Sequence, residues 1–298
     1  MAKKLMRRLG WSAAGAVLVL AAYLAWWPVP IRPVAWSAPP APGYQGVHAP
    51  NTRLAQLQVI DLHGEVGPEH IAVGRDGKLY TTVLSGNILR MNPDGSGQEV
   101  FANTGGRVLG FDFDAAGHLI AADAVKGLLS IAPDGKVTVL ADKVGSDPIR
   151  YADGVVVAQS GKMYLSDAST RFAPQHSRAT LEASVIDILE QASTGRVMEY
   201  DPATRAPRVV DRGLSFANGV ALSKDEKSLF VNETGKYRVW KIAVDANDLD
   251  ISLPGAQASV LLDNLPGYPD NLMRGMDGRI WLGFAKPRGA AIDNKVHP

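Results

Sequence analysis

The sequence predicts an all-β protein, a six-bladed β-propeller, that follows an N-terminal transmembrane helix. The first observation is a turn-and-strand unit that recurs at intervals of about 40 residues, the length of a propeller blade. The second is that apolar strands flank the copies, so that each unit holds about four short strands. The third is an uncharged, apolar run from Trp11 to Trp27 near the start of the chain.

The apolar run is just long enough to cross a bilayer, because it would span roughly 25 Å as an α-helix at ~1.5 Å per residue. Basic residues before it predict that residues 1–10 stay in the cytoplasm and that residues 11–27 are a signal-anchor. The remainder is then outside the cytoplasm, which in a bacterial protein is the periplasm. A cleaved signal peptide is the alternative, with Ala35-Trp36-Ser37 as a weak cleavage site. The basic residues are Lys3, Lys4, Arg7 and Arg8, and aromatic residues suited to the far interface are Tyr23, Trp26 and Trp27.

The next segment, residues 28–53, is rich in proline and small residues, a composition that favours extended backbone and disfavours helix. We therefore interpret it as a stalk between the membrane and the propeller. Its prolines are residues 28, 30, 33, 39, 40, 42 and 50.

The remainder, residues 54–298, is the predicted propeller. Each copy of its repeat is a turn at the tip of a hairpin, preceded by an apolar strand and followed by a second one. The five copies are Asp76–Tyr80, Ala116–Ile120, Ser160–Tyr164, Asp225–Phe230 and Asp277–Trp281.

The fifth copy ends near Phe284, and the 14 residues after it are too few for another blade. An unclosed ring leaves an exposed sheet edge, which is prone to aggregation. We therefore expect a six-bladed ring with about five blades present and the last one truncated, and a five-bladed ring is the alternative. Within the longest insertion, residues 171–194, apolar residues recur at helical spacing and predict a short helix, either a lid over the channel or a packed loop.

Composition restricts the function. The 298 residues carry a net charge of +1, so no basic surplus indicates nucleic acid as a partner. The absence of cysteine excludes disulfides, thiolate nucleophiles and Cys-type zinc sites, but leaves the compartment open. The sequence gives no indication of a protein partner. The expected partners are the membrane, through the N-terminal helix, and a small-molecule substrate.

Six segments of the predicted propeller carry specific motifs. They are Gly67–Ile71, Gly106–Phe113, Tyr151–Gly154, Gly195–Thr204, Phe216–Ser223 and Leu265–Leu272. These motifs resemble the strictosidine synthase-like family, of the adipocyte plasma membrane-associated protein type. The resemblance covers roughly residues 55 to 290, and it places the chain near the SMP-30, gluconolactonase-like and paraoxonase-like six-bladed propellers.

That resemblance implies a divalent metal, with Ca²⁺ the expected ion, in the central channel. Glu69, Asn218 and Asp270 match the metal-liganding positions of gluconolactonase-like proteins, and Asn271 matches a further paraoxonase ligand. Asp153 matches only the neighbour of a ligand. The channel histidine of the paraoxonases is replaced by Leu109, so their histidine-assisted mechanism is not expected here.

The residue pattern supports the same site. Each of these side chains directly precedes the first apolar strand of a blade, and each carries the hard oxygen that calcium prefers. Asn-Gly and Asp-Gly pairs are also common turn caps, so a purely structural role for each residue stays open.

Three functions follow from the resemblance. The first is a metal-dependent hydrolase of lactones or aryl esters, with Asp270 or Asp153 as the base that takes a proton from water. The second is a strictosidine synthase-like enzyme that forms C–N or C–C bonds. The third is a propeller that binds a ligand without catalysis.

Overall fold

The computed structural model describes residues 2–27, 30–177, 179–253, 255–275, 277–289 and 293. It divides into two compact units, Met1–Arg32 and Pro33–Pro298. Residues 28 and 29 of the predicted stalk, and residues 290–292 and 294–298 of the predicted propeller, lie outside the described residues.

The first unit contains helix α1, Ala2–Trp26. Its stretch Met6–Trp26 is, among the described residues, the one helix long and apolar enough to cross a membrane. The apolar side chains along it, Val17 to Leu20, are more than half exposed. Length and composition therefore fit the apolar N-terminal helix that the sequence predicts.

The second unit is built from antiparallel sheets of consecutive strands, as the repeat predicts. The first sheet holds β1 Ile71–Val73, β2 Leu79–Thr82, β3 Asn87–Met91 and β4 Glu99–Asn103, and the second holds β5 Val108–Phe113, β6 Leu119–Asp123, β7 Gly127–Ile131 and β8 Val137–Ala141. A two-stranded hairpin follows, with β9 Lys143–Val144 and β10 Asp147–Pro148.

The third sheet contains β11 Ala152–Val157, β12 Met163–Asp167, β13 Gly195–Asp201 and β14 Ala206–Leu214. The fourth contains β15 Ala217–Leu222, β16 Ser228–Glu233, β17 Arg238–Ala243 and β19 Ala258–Leu262. Between β17 and β19, the short strand β18, Leu249–Asp250, pairs in parallel with β14 of the third sheet. The fifth sheet is the hairpin of β20 Gly267–Arg274 and β21 Ile280–Pro287.

Successive sheets are stacked face to face, as strand β6 shows. Because side chains alternate along a strand, Leu119 and Ala121 pack toward the first sheet while Ile120 and Ala122 pack toward the third. All five residues of β6 are buried, since both faces of its sheet are covered. A similar apolar layer, which includes Val197 of β13, joins the third and fourth sheets. The predicted all-β class is confirmed, and the stacked sheets are consistent with a propeller, while the number of blades stays a prediction.

Glycines bring the innermost strands together. A Cβ on Gly110 of β5 would lie 2.6 Å from the carbonyl oxygen of Asp153, and one on Gly154 of β11 would lie 3.0 Å from that of Asn218. On Gly219 of β15, a Cβ would lie 2.3 Å from the amide nitrogen of Leu272. Only glycine permits this backbone approach, which brings the starts of β5, β11, β15 and β20 close to one another.

The insertion between β12 and β13 forms helix α2, Thr180–Glu190, which confirms the predicted helix. Tyr151 donates a hydrogen bond to the carbonyl oxygen of Thr180 at 2.8 Å, and the buried Ala183 and Ile188 join an apolar cluster with Tyr151 and Leu109. The helix therefore packs at the end of the sheets where the inner strands start.

Part of the segment that we interpreted as a stalk lies against the same unit. The amide of Val34 donates to the carbonyl oxygen of Glu190 at 2.7 Å, and the Trp36 ring lies 5.9 Å from that of Tyr237. The carbonyl oxygen of Pro40 accepts from Asn264. Extended backbone leaves its carbonyl groups free, so these residues can dock where the sequence predicts only a spacer.

Candidate active site

The predicted site residues occupy one repeated position in the fold. In four sheets the last residue of the inner strand pairs with the first residue of the next strand, as Val73 does with Leu79. In the fourth sheet, Leu222 pairs with Leu229, the second residue of β16. Counting back four residues from each of these strand ends reaches the same position in five sheets. The residues there are Glu69, Leu109, Asp153, Asn218 and Asp270.

The inner strands are irregular at this position. The pairing register shifts between Ala152 and Val155, between Ala217 and Val220, and between Pro269 and Leu272. Bulges of this kind bend a strand and change the direction of a side chain, and they are frequent beside active sites. Asp153, Asn218 and Asp270 lie within these shifts.

Buried acids fix the loops that lead into the site. Asp123, the last residue of β6, accepts from the amide of Arg107 at 3.1 Å. Asp167, the last residue of β12, accepts from the amide of Tyr151 at 2.8 Å, and Glu233, at the end of β16, accepts from the amide of Ser215 at 2.9 Å. The same contact recurs in three sheets, and it positions the backbone just ahead of each inner strand.

The candidate side chains are in contact across the sheets. The side-chain amide of Asn218 donates to Oδ1 of Asp270 at 2.8 Å, and that of Asn271 donates to the carbonyl oxygen of Glu69 at 3.2 Å. Asp153 and Asn218 are each 4% exposed. The structure therefore brings the sequence-predicted residues together. Their roles as ligands or bases stay predictions.

Arg107 belongs to this cluster, although sequence reasoning did not assign it a role. Its Nη2 atom lies 2.9 Å from the carbonyl oxygen of Gly67 and 3.4 Å from Oε2 of Glu69. Leu109 holds the repeated position in this sheet, and Arg107 lies two residues before it, directly ahead of β5. No local sequence pattern marks Arg107, because its contact with Glu69 joins residues 38 positions apart.

Burial and like charge determine the protonation of the acids. Burial raises the pKa of Asp153 well above its ordinary value, and the charges of Asp270 and Glu69 raise it further, while Arg107 lowers it. The pKa of Glu69 is also raised, first by burial and then by Asp270. Burial raises the pKa of Asp270, and the hydrogen bond from Asn218 lowers it. Burial is the first cause at all three carboxyl groups, and the positive charge of Arg107 lowers the pKa of Glu69 and Asp153.

One observation supports a divalent cation at this site, and another restricts which side chains could bind it. Oδ1 of Asn218 is buried and accepts no hydrogen bond from any described residue, and it is a hard oxygen of the kind that Ca²⁺ binds. In the described part of the chain, however, no three His, Asp or Glu side chains form a metal site by themselves. The side-chain amide oxygens must therefore contribute to any metal site here. With them, the available oxygen ligands fit a divalent cation.

Fold and site together define a class: a β-propeller with an acidic cluster where its inner strands begin. The strictosidine synthase-like N-terminal family model matches residues 46–91, and the strictosidine synthase model matches residues 153–247. The chain belongs to the strictosidine synthase-like family.

The relatives agree with this assignment. Strictosidine synthase-like protein 4 of Arabidopsis thaliana is 37% identical over 73% of this chain and 56% of its own length. Adipocyte plasma membrane-associated protein of Salmo salar is 32% identical over 87% of this chain and 63% of its own length. The chain thus spans less than two thirds of the length of these relatives.

Solved structures support the fold. A gluconolactonase of Xanthomonas campestris superposes with a TM-score of 0.57 at 19% identity, covering 72% of this chain and 69% of that protein. Regucalcin of Agrobacterium tumefaciens, described as a calcium-binding protein, superposes with a TM-score of 0.52 at 16% identity, covering 73% and 67%. At these identities the likeness concerns the fold alone.

Proposed function

We propose that the chain is a membrane-anchored, divalent-metal-dependent hydrolase of lactones or aryl esters. The observation that carries the proposal is the electrostatic coupling of Asp153 with Glu69 and Asp270, next to Asn218, which contacts Asp270 and whose buried Oδ1 has no hydrogen-bond partner among the described residues. Such a cluster is costly to bury without a compensating cation, and it combines metal-binding oxygens with carboxyl groups able to accept protons.

Glu69, Asn218, Asp270 and Asn271 would hold the ion, with Ca²⁺ as the expected one. When bound, the ion supplies a Lewis acid that polarises the carbonyl group of an ester or lactone. The amide of Asn218 holds the Asp270 carboxylate in place through its 2.8 Å hydrogen bond.

Asp153 or Asp270 takes a proton from the attacking water, whose oxygen bonds to the carbonyl carbon. The C–O bond to the leaving oxygen then breaks, and the proton passes to that oxygen, which gives an acid and an alcohol. Burial raises the pKa of both carboxyl groups, and a carboxyl group with a raised pKa is a stronger general base than an ordinary one.

Asp270→Asn tests the proposal, because it keeps the shape of the side chain and removes its charge. We expect the calcium Kd to rise at least about tenfold in calorimetry and hydrolysis of a lactone and aryl-ester panel to fall about 100-fold or more. Chelator should abolish the activity of the unmodified chain. Asp142→Asn, an exposed acid, is the matched control and should change neither value.

The proposal fails if the full chain binds no calcium, or if Asp270→Asn hydrolyses the panel as well as the unmodified chain. A second candidate is a bond-forming enzyme, which the strictosidine synthase match over residues 153–247 favours. Condensation of an amine with an aldehyde that persists in chelator would support that candidate instead.

A further inference from the structure

A cavity of about 780 Å³ lies where the inner strands end, beyond the candidate site. The last three residues of each of the five inner strands line it, and each triplet starts two residues after the repeated site position. The triplets are residues 71–73, 111–113, 155–157, 220–222 and 272–274. None of the residues predicted to bind metal or to act as a base is among the described residues that line this cavity. It is therefore a compartment separate from the candidate site.

The walls of this cavity are apolar. Apart from Asp112 and Arg274, every residue of the five triplets is aliphatic or aromatic. Asp112 accepts from the amides of Phe113 at 2.7 Å and Val157 at 2.9 Å, and Arg274 donates to backbone carbonyl oxygens. Because both polar exceptions are already paired within the protein, a ligand in this cavity makes mainly apolar contacts.

Charged side chains stand at the rim of the cavity. The turn after β15 places Lys224 and Glu226 there. Both carboxylate oxygens of Glu226 accept from the amide of Gln159, at 3.2 and 3.1 Å. Lys224 is exposed and has no ion-pair or hydrogen-bond partner among the described residues. With the exposed Arg274, the rim carries two cations and one acid, so it favours a ligand with a negatively charged end.

We propose that this cavity binds a long-chain carboxylate, whose alkyl chain lies between the ends of the inner strands and whose carboxylate lies at Lys224. Removal of the alkyl chain from water supplies most of the binding free energy, and the ammonium group orients the ligand. The cavity volume is within the range of about 300–1,000 Å³ that is typical of small-ligand pockets. The inference is independent of the proposed hydrolase, and chelator should leave this binding unchanged.

Calorimetry with matched ten-carbon probes tests the site. The full chain is reconstituted in nanodiscs of zwitterionic phospholipid, and empty nanodiscs serve as the blank. Decanoate should bind more tightly than decanol, and decylammonium should bind most weakly, because these probes differ in the charge of the group that meets Lys224. Octanoate should bind about 15-fold more weakly than decanoate, because it lacks two methylene groups.

Two variants separate the contributions of the cavity and the rim. Val73→Trp should weaken all ten-carbon probes about tenfold or more, because the indole fills the cavity, and Val73 is 52% exposed, so the fold tolerates it. Val100→Trp, at a 56% exposed position of the same sheet outside the cavity, is its control. Lys224→Gln should weaken decanoate about two- to fivefold and leave decanol unchanged. Lys227→Gln, in the same turn but outside the cavity, should change neither.

The inference is overturned if no probe binds above the blank, or if Val73→Trp folds and binds the probes as the unmodified chain does. An equal loss in Val73→Trp and Val100→Trp would also overturn it, because that result indicates non-specific uptake. Equal affinities for decanoate and decylammonium, or an unchanged decanoate affinity in Lys224→Gln, would refute Lys224 as the position of the carboxylate.

Discussion

Asp187 in helix α2 shows how one buried acid makes an element sensitive to pH. Burial raises its pKa to about 7. Thr194 lies 3.4 Å from Oδ1, and Oδ2 has no partner among the described residues. Because the folded-state pKa exceeds the ordinary value of 3.8, folding favours the protonated form. The contribution to stability is therefore fully present below pH 3.8 and is lost as the pH rises toward 7.

Asp187→Asn should remove this dependence, since an amide does not titrate. Between pH 4 and 7, we expect the opening free energy of α2 in the unmodified chain to fall by up to about 4 kcal/mol more than in the variant, from about three pKa units at 1.36 kcal/mol each. Hydrogen exchange of the helix amides at several pH values measures it. Equal slopes in the two proteins would contradict the prediction, and Asp142→Asn should retain the slope.

Some of the site residues could be predicted from the sequence, and others could not. Glu69, Asn218 and Asp270 could be predicted because each precedes an apolar strand at one repeated position. Arg107 could not, because its relevance depends on two donors that lack acceptors and on a contact with Glu69, 38 positions earlier in the chain. Neither property is visible in a local pattern.

At the scale of elements, the inner strands depend on glycine where they meet. Gly219→Ala would place a Cβ 2.3 Å from the amide nitrogen of Leu272 and 2.6 Å from the carbonyl oxygen of Asp270. These are backbone atoms, so β15 and β20 must separate. The separation would also stretch the hydrogen bond from Asn218 to Asp270.

We expect Gly219→Ala to cost about 1–3 kcal/mol or more and to lower the melting temperature by about 3–10 °C, measured by circular dichroism. Gly255→Ala is the matched control, because no atom lies within 4 Å of its added Cβ. A Gly219 variant as stable as the Gly255 variant would show that the two strands are not held in this close contact.

The elements themselves were largely predictable. Each Asp-Gly or Ser-Gly turn lies between antiparallel strands, as at Gly77, whose φ of +75° suits a residue without a Cβ. Helix α2 followed from apolar spacing, and the structure confirmed it. The docking of Val34 and Trp36 was not predictable, because proline-rich sequence specifies extended backbone and not what that backbone contacts.

At the scale of the whole molecule, we predict that helix α1 anchors the protein in a membrane. We expect the full chain to sediment with membranes and to resist extraction with alkaline carbonate, because Met6–Trp26 suffices to cross a bilayer. A chain that lacks residues 2–27 should be recovered in the soluble fraction. Mass spectrometry of the mature amino terminus separates the outcomes, since loss of the helix in the native protein would establish the cleaved signal peptide instead.

The sequence by itself determined the apolar helix, the repeated hairpins and the recurrence of oxygen-bearing residues at one position along the inner strands. These are local patterns that depend on periodicity and turn chemistry. Only the tertiary structure decided that these residues meet, because Asn271 contacts Glu69 across 202 positions of the chain. Burial and convergence then raise the pKa of Asp153 and leave Arg107 short of acceptors, and both effects depend on neighbours that folding alone supplies.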